Sequence, residues 1–386
     1  MTRELLAIDF YGSELSAALA VLDEDTDTLR LRKAACRSCK SFAGAFVRSM
    51  SGAEAEFAAL MDEMQEYTSY PNIIIGLRGN FLSFKHTNGM HAMSYRSGRV
   101  SQRDISAVLH NALPVNLDDS MDVVDVLPQA YGLDGNYGIT DPLGLKGSLL
   151  EVDAFMSFAL KTHLENLRNV LANCGYKEFQ TLPTSIALGE ALVKEDERKS
   201  GVLLIDIGKN ASSVLQYHKE VLINAWEIAA GQEDMAEAFA DLLQNDLQTA
   251  KEELAKYEVG TDPIVDEVLE SAQEKLLRSI KKELLQSVQF VKFPPSQIIL
   301  SGKAADKNLL KIAKQVFGVK RARLASPADE WTDCSVSPLP YAGALSLITA
   351  TLQREVQEIG ISRTNGGGWL DDMMQSFGLS KLFKSF

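Results

Sequence analysis

Leu5-Leu6-Ala7-Ile8-Asp9-Phe10-Tyr11-Gly12-Ser13 and, far downstream, Val202-Leu203-Leu204-Ile205-Asp206-Ile207-Gly208-Lys209-Asn210 follow one pattern. Each is an apolar run closed by an aspartate, followed by a glycine-containing turn and a second β-like stretch, Leu15 to Leu22 and Ser213 to Tyr217. Unbroken apolar runs of this length are the mark of strands buried on both faces. The turn residues after each aspartate predict a hairpin. One such element is an ordinary buried strand. Two of them, with a third run at Gln297 to Leu300 that ends in Ser301-Gly302-Lys303-Ala304-Ala305, predict more. That third run leads into a helix with Leu309, Leu310, Ile312, Ala313 and Val316 inward. The chain reads as two related α/β domains facing a cleft.

This order of elements is similar to the actin-like nucleotide fold. The resemblance implies that each Asp-bearing hairpin faces the phosphates or their metal ion, and that the third turn approaches the adenosine. It makes Asp9, Gly12, Ser13, Asp206, Gly208, Lys209, Asn210, Gly302 and Lys303 the candidate cofactor-binding residues, with ATP and Mg²⁺ the implied cofactor.

The surrounding sequence fits a soluble globular α/β protein. Of 386 residues, 46% are hydrophobic and 24% charged, which excludes a disordered chain. A net charge of −13 argues against a nucleic-acid partner, whose phosphates demand clustered Lys and Arg. No run approaches the roughly 18 apolar residues of a membrane span, and the N-terminus lacks a signal-peptide pattern, so a cytoplasmic location is expected. Cys36 and Cys39 form a Cys-x-x-Cys pair without a second half, and the five histidines show no ligand spacing. No metal site and no catalytic residue is assigned from them.

Several helices are legible. Phe57, Leu60, Met61 and Met64 make an apolar stripe before a strand at Ile73-Ile74-Ile75. Ser101-x-x-Asp104 reads as a capping box opening a helix with Ile105, Val108, Leu109 and Ala112 inward. Leu160, Leu164, Leu167 and Leu171 form another stripe that Gly175 can end. From Met235 to Leu285 the pattern is helical, with Met235, Ala238, Phe239, Leu242 and Leu243 inward, and over 233–285 acidic residues outnumber basic ones by more than two to one.

Residues 126–158 carry the specific signal. Pro128-Gln129-Ala130-Tyr131-Gly132-Leu133-Asp134 is followed by Gly138-Ile139-Thr140-Asp141-Pro142-Leu143-Gly144-Leu145-Lys146-Gly147. This resembles the P-x-x-Y-x-x-D and G-I-x-x-P-x-G-x-x-G pattern of the FtsA family of bacterial cell-division proteins. The resemblance continues through Glu195-Asp196-Glu197-Arg198 and Tyr341-Ala342-Gly343-Ala344. It implies an actin-like two-domain fold with a relocated 1C subdomain. Residues 1–83 and 159–200 are then subdomain 1A, 84–158 subdomain 1C, 201–227 and 297–352 subdomain 2A, and 228–296 a short helical 2B. A linker at 353–368 leads to an amphipathic tail at 369–386.

The family's role is to polymerise beneath the cytoplasmic membrane at the division site and tether FtsZ through its C-terminal tail. The expected partners are therefore FtsZ, further copies of the chain and a lipid surface. In the tail, Trp369, Leu370, Met373, Met374 and Phe377 share one helical face. Leu379, Leu382, Phe383 and Phe386 share another, with Gly378 between them, and together they are the candidate membrane contacts. Arg278, Lys281 and Lys282 are the candidate patch for an acidic FtsZ tail. The phosphate turns depart from the family. Tyr11 and Glu14 replace a glycine and a lysine in the first, Lys209 and Asn210 replace glycines in the second, where Ser213 also replaces an aspartate, and Lys303 replaces a glycine in the third. Weak ATP binding and at most a weak ATPase activity are expected. The alternatives are a PilM-like platform protein of type IV pilus assembly, which shares the architecture, and an actin-superfamily ATPase or kinase.

Overall fold

The computed structural model describes residues 2–362 apart from 24–27, 69–70, 94–97, 258–259, 303, 326 and 328–340. The expected cofactor contact Lys303 and the tail contacts Trp369, Leu370, Met373, Met374, Phe377, Leu379, Leu382, Phe383 and Phe386 lie outside the described residues.

The first aspartate run becomes β1 (Thr2–Phe10), buried from Leu5 onward, and it turns through Tyr11–Ser13 into β2 (Glu14–Asp23). β3 (Thr28–Ser38) extends the antiparallel meander. A small hairpin, β4 (Phe42–Ala43) and β5 (Phe46–Val47), leads to α1 (Met50–Gln65), where the Ser49 hydroxyl accepts the Gly52 N–H at 3.4 Å. Phe57, Leu60, Met61 and Met64 bury the predicted stripe against the sheet. β6 (Asn72–Leu77) lies parallel to β1, with Ile75 beside Ile8.

The chain then leaves this sheet. β7 (Leu82–Ala92), α2 (Gln102–Asn111), β8 (Met121–Leu133), β9 (Asn136–Ile139) and β10 (Leu149–Leu160) build a separate antiparallel sheet in the order β7-β10-β8-β9. α2 opens on the predicted capping box, with the Ser101 N–H donated to Asp104 at 2.8 Å, and buries Ile105, Val108 and Leu109. The Asp134 carboxylate accepts the Ser148 and Leu149 N–H groups at 3.0 and 2.9 Å, which ties the loop before β10 to the end of β8. Asp134 of the 128–147 motif thus has a structural part.

The chain returns through α3 (Lys161–Asn173), where Leu164, Leu167 and Leu171 are buried, to β11 (Gln180–Pro183), parallel to β6. α4 (Thr184–Leu192) and α5 (Glu195–Ser200) close the first half. The second half repeats the design: β12 (Val202–Ile207), β13 (Ser212–His218) and β14 (Val221–Ile228) form the meander. α6 (Gln232–Leu243), α7 (Leu247–Lys256), α8 (Pro263–Leu284) and α9 (Val288–Lys292) form a helical excursion. β15 (Gln297–Ser301), α10 (Lys307–Phe317) and β16 (Arg321–Leu324) complete the sheet before α11 (Ala342–Ser362). The two five-stranded sheets read β3-β2-β1-β6-β11 and β14-β13-β12-β15-β16. In each, three antiparallel strands are continued by two parallel ones.

Three expectations are corrected, the first being the linker expected at 353–368, of which residues 353–362 are helical as part of α11. Leu242 was expected inward but is 52% exposed, because α6 packs through Ala238, Phe239 and Ala240 instead. Residues 342–352 were assigned with the second half. From Ala344 onward, α11 packs Leu345, Leu347 and Ile348 against Leu5, Ala7 and Ile74 of the first half.

Candidate functional site: the cleft between the two hairpins

β1 and β12 end at equivalent places in the two halves, so Asp9 and Asp206 face each other across the cleft. Both carboxylates are 1% exposed. A cation lies between them, and it comes from the chain itself. Arg78 follows the last residue of β6, the strand parallel to β1. Its Nε–H is donated to Asp9 Oδ1 and Oδ2 at 2.9 and 3.2 Å, and its Nη1–H to Asp206 Oδ2 at 2.7 Å. Arg78 is 6% exposed. Burial alone would disfavour its charge, but Asp9 and Asp206 outweigh that and push its pKa up.

The neighbouring side chains extend the network, although Arg78 Nη2 and Asp206 Oδ1 are buried with no hydrogen-bond partner among the described residues. Thr184 Oγ1 donates to Asp9 at 2.8 Å. Ser213 Oγ takes a long 3.4 Å bond from Arg78 and donates to Glu227 at 3.0 Å. Glu227, half-buried on β14, has its pKa pushed up to about 7, first by burial and further by the Asp206 charge. Arg78 and Ser213 pull it back only in part. The Tyr11 hydroxyl donates to the Ile207 carbonyl of the other half, and its ring lies 5.0 Å from the Arg78 guanidinium carbon.

The turns of the two hairpins are in direct contact. Gly12 has φ +69°, and a Cβ there would lie 3.0 Å from Lys209 Cβ and 3.1 Å from Asn210 Oδ1. The third turn closes on the same point, since a Cβ on Gly302 would lie 2.6 Å from the Tyr11 hydroxyl. Asn210 Nδ2 donates to Glu233 at 2.6 Å. Gly208 donates its N–H across its own turn to Ala211. Asp9, Gly12, Asp206, Gly208, Lys209, Asn210 and Gly302 are therefore brought together, and Ser13 sits in the first turn beside them. The residue that organises them, Arg78, went unread in the sequence.

The basic patch is less uniform than its sequence spacing. Arg278 is exposed but paired with Glu274 at 2.7 Å, half-buried Lys281 donates to the Val316 carbonyl at 2.6 Å, and Lys282 is exposed.

Two halves of equal topology, with Asp-bearing hairpins facing across a cleft, define an actin-like protein. Residues 79–157 match the model of the SHS2 domain inserted in FtsA. The cell division protein FtsA of Bacillus subtilis is 26% identical over 292 residues, 69% of this chain and 66% of that protein. FtsA of Escherichia coli is 26% identical over 313 residues, 72% of this chain and 73% of that one. Among solved structures, one chain of a PilM–PilN type IV pilus biogenesis complex superposes with a TM-score of 0.63. The overlap covers 92% of this chain and 98% of that one at 14% identity, a likeness of fold. The chain is an FtsA-like protein. It spans just under two thirds of the Bacillus relative's length.

The fold implies a nucleotide with its metal ion between the hairpins, and the residues present do not fit one in this arrangement. Arg78 holds the two carboxylates that a magnesium ion and its waters would use. Tyr11 and the touching turns fill the path the phosphates would take.

Proposed function

We propose that this chain works in bacterial cell division as an FtsA-type adaptor. On this reading it lies on the inner face of the cytoplasmic membrane, associates with copies of itself, and links FtsZ filaments to the lipid at the division site. The observation that supports it most is the inserted unit at 79–157, set between β6 and α3 of an actin-like first half. In the proposed division of labour, residues 84–158 make filament contacts, 228–296 receive the FtsZ tail, and 369–386 lie in the membrane interface. Lys282 is the patch residue best placed to attract an acidic peptide, since Arg278 and Lys281 are already engaged. The tail would act through apolar burial and through many copies per filament.

Co-sedimentation of the full chain with liposomes and FtsZ tests this. FtsZ should pellet with lipid only when the chain is present, and deletion of 369–386 should release both. Unchanged pelleting of the deletion variant, or failure to bring FtsZ down, refutes the adaptor role. Lys282→Glu should weaken binding of an FtsZ-tail peptide without the loss of packing expected of Lys281→Glu. A PilM-like platform role is the second reading, favoured by the 98% coverage of that chain. Sequence identity of 26% to FtsA against 14% to PilM weighs for the adaptor, and binding of PilN in place of FtsZ would reverse the choice.

A further inference from the structure

We propose that Arg78 takes the place of the metal–nucleotide complex: it is an internal cation that closes the cleft, so the two halves stay joined without ATP. The inference rests on the cleft geometry and stands apart from the division role.

Three observations carry it. The first is connectivity. Arg78 belongs to the first half, and its Nε binds Asp9 of that half while Nη1 reaches Asp206 of the other. A single side chain thus bridges the halves at the point where each hairpin presents its carboxylate. The second is charge. Two buried carboxylates facing each other need a cation between them, and a guanidinium that donates through Nε to Asp9 and through Nη1 to Asp206 supplies it with no ligand to lose. The third is fit. Tyr11 hydrogen-bonds across the cleft to Ile207, its hydroxyl lies against Gly302, and Gly12 rests on Lys209 and Asn210. Tyr11 and Arg78 act as one plug, the ring facing the guanidinium. The replacements of a glycine by Tyr11 and of a phosphate-facing lysine by Glu14, weakening when taken singly, make sense together with this cation. The turns no longer serve an anion because the site no longer holds one.

The test uses the full chain. Hydrogen exchange of the segments 9–14 and 206–213 is measured in the wild type with and without Mg²⁺ and ATP, alongside calorimetry. Unchanged exchange and no binding heat are expected. Arg78→Ala should speed exchange of both segments about a hundredfold, since two buried carboxylates lose their shared cation. Added Mg²⁺ alone should slow it again in the variant and not in the wild type, because Asp9 and Asp206 are then free to share a divalent ion. Arg78→Lys, which keeps the charge, should show a smaller version of the same effect and serves if the alanine variant does not fold. Micromolar binding of Mg-ATP by the wild type, or slowing of its hairpin exchange by Mg-ATP, overturns the proposal. So does exchange in the Arg78 variants equal to that of the wild type.

Discussion

Replacing Gly343 by alanine sets two effects of opposite sign against each other. Gly343 lies in the first turn of α11, and an alanine in a helix is favoured over glycine by up to about 1 kcal/mol. On propensity alone the variant is more stable. The site says otherwise. A Cβ at 343 would overlap the Asp9 carboxylate, lying 2.6 Å from its Cγ, and would stand 2.8 Å from Arg78 Nη2. Those atoms have nowhere to retreat, since Asp9 is held on its other side by Thr184, and Gly76 backs onto Asp9 Oδ1 at 3.1 Å from where a Cβ would be. Forcing Asp9 away from Arg78 breaks a buried ion pair, which costs about 3–5 kcal/mol. The net expectation is a loss of about 2–4 kcal/mol. Urea unfolding reads it as a lower midpoint at unchanged slope. In an Asp9→Ala background, where the ion pair is already lost, adding Gly343→Ala should cost much less than it does in the wild type, because its tightest clash is with that carboxylate. A Gly343→Ala protein as stable as the wild type, or more so, would refute the tightness of the cleft on which the reasoning depends.

Glu227 predicts a pH dependence. Its carboxyl keeps a proton up to about pH 7 in the folded protein, whereas an unfolded glutamate loses it near about pH 4.3. The folded state therefore binds the extra proton between these values, and stability should fall as pH rises from about 4.5 to about 7, by about 1–2 kcal/mol for a half-buried group. Glu227→Gln should flatten that slope in urea melts at pH 5 and 7.5; an unaltered slope would place its origin elsewhere. Arg354 is a second arginine bridge, half-buried, bonding Asp125 of β8 at 2.7 Å and Glu190 of α4 at 3.0 Å. Arg354→Ala should cost about 1–3 kcal/mol, read as a lower urea midpoint at neutral pH; an unchanged midpoint would mean that the bridge adds nothing to stability.

What was legible in the sequence was what local pattern encodes. Asp9 and Asp206 stood out because each ends an apolar run before a turn, and both ends repeat. The stripes of α1 and α3 and the capping box of α2 follow from helical spacing, and they are where they were read. Arg78 was missed because its partners are 69 and 128 residues away and no motif contains it. A signal was nevertheless there. A lone arginine directly follows the buried run Ile73-Ile74-Ile75-Gly76-Leu77, next to a strand that ends in aspartate, and a charge in that position needs a buried partner. Arg354 was invisible for the same reason, with partners 164 and 229 residues distant. Tyr11 was half read: its bulk in the turn was evident, but its hydrogen bond to the opposite half was not.

The repeated sheet order carries a consequence for how such a molecule keeps time. In a two-lobed machine, the bridging ligand is also a messenger: its arrival, hydrolysis and departure mark successive states. A bridge built from the chain's own side chains is present at unit occupancy in every copy and is never consumed. Lobes joined in that way cannot sense the energy charge of the cell, and an assembly made from them has no internal clock. If copies of the chain assemble as proposed, their growth and dispersal would be set from outside, by the amount of protein, the lipid surface and the partner.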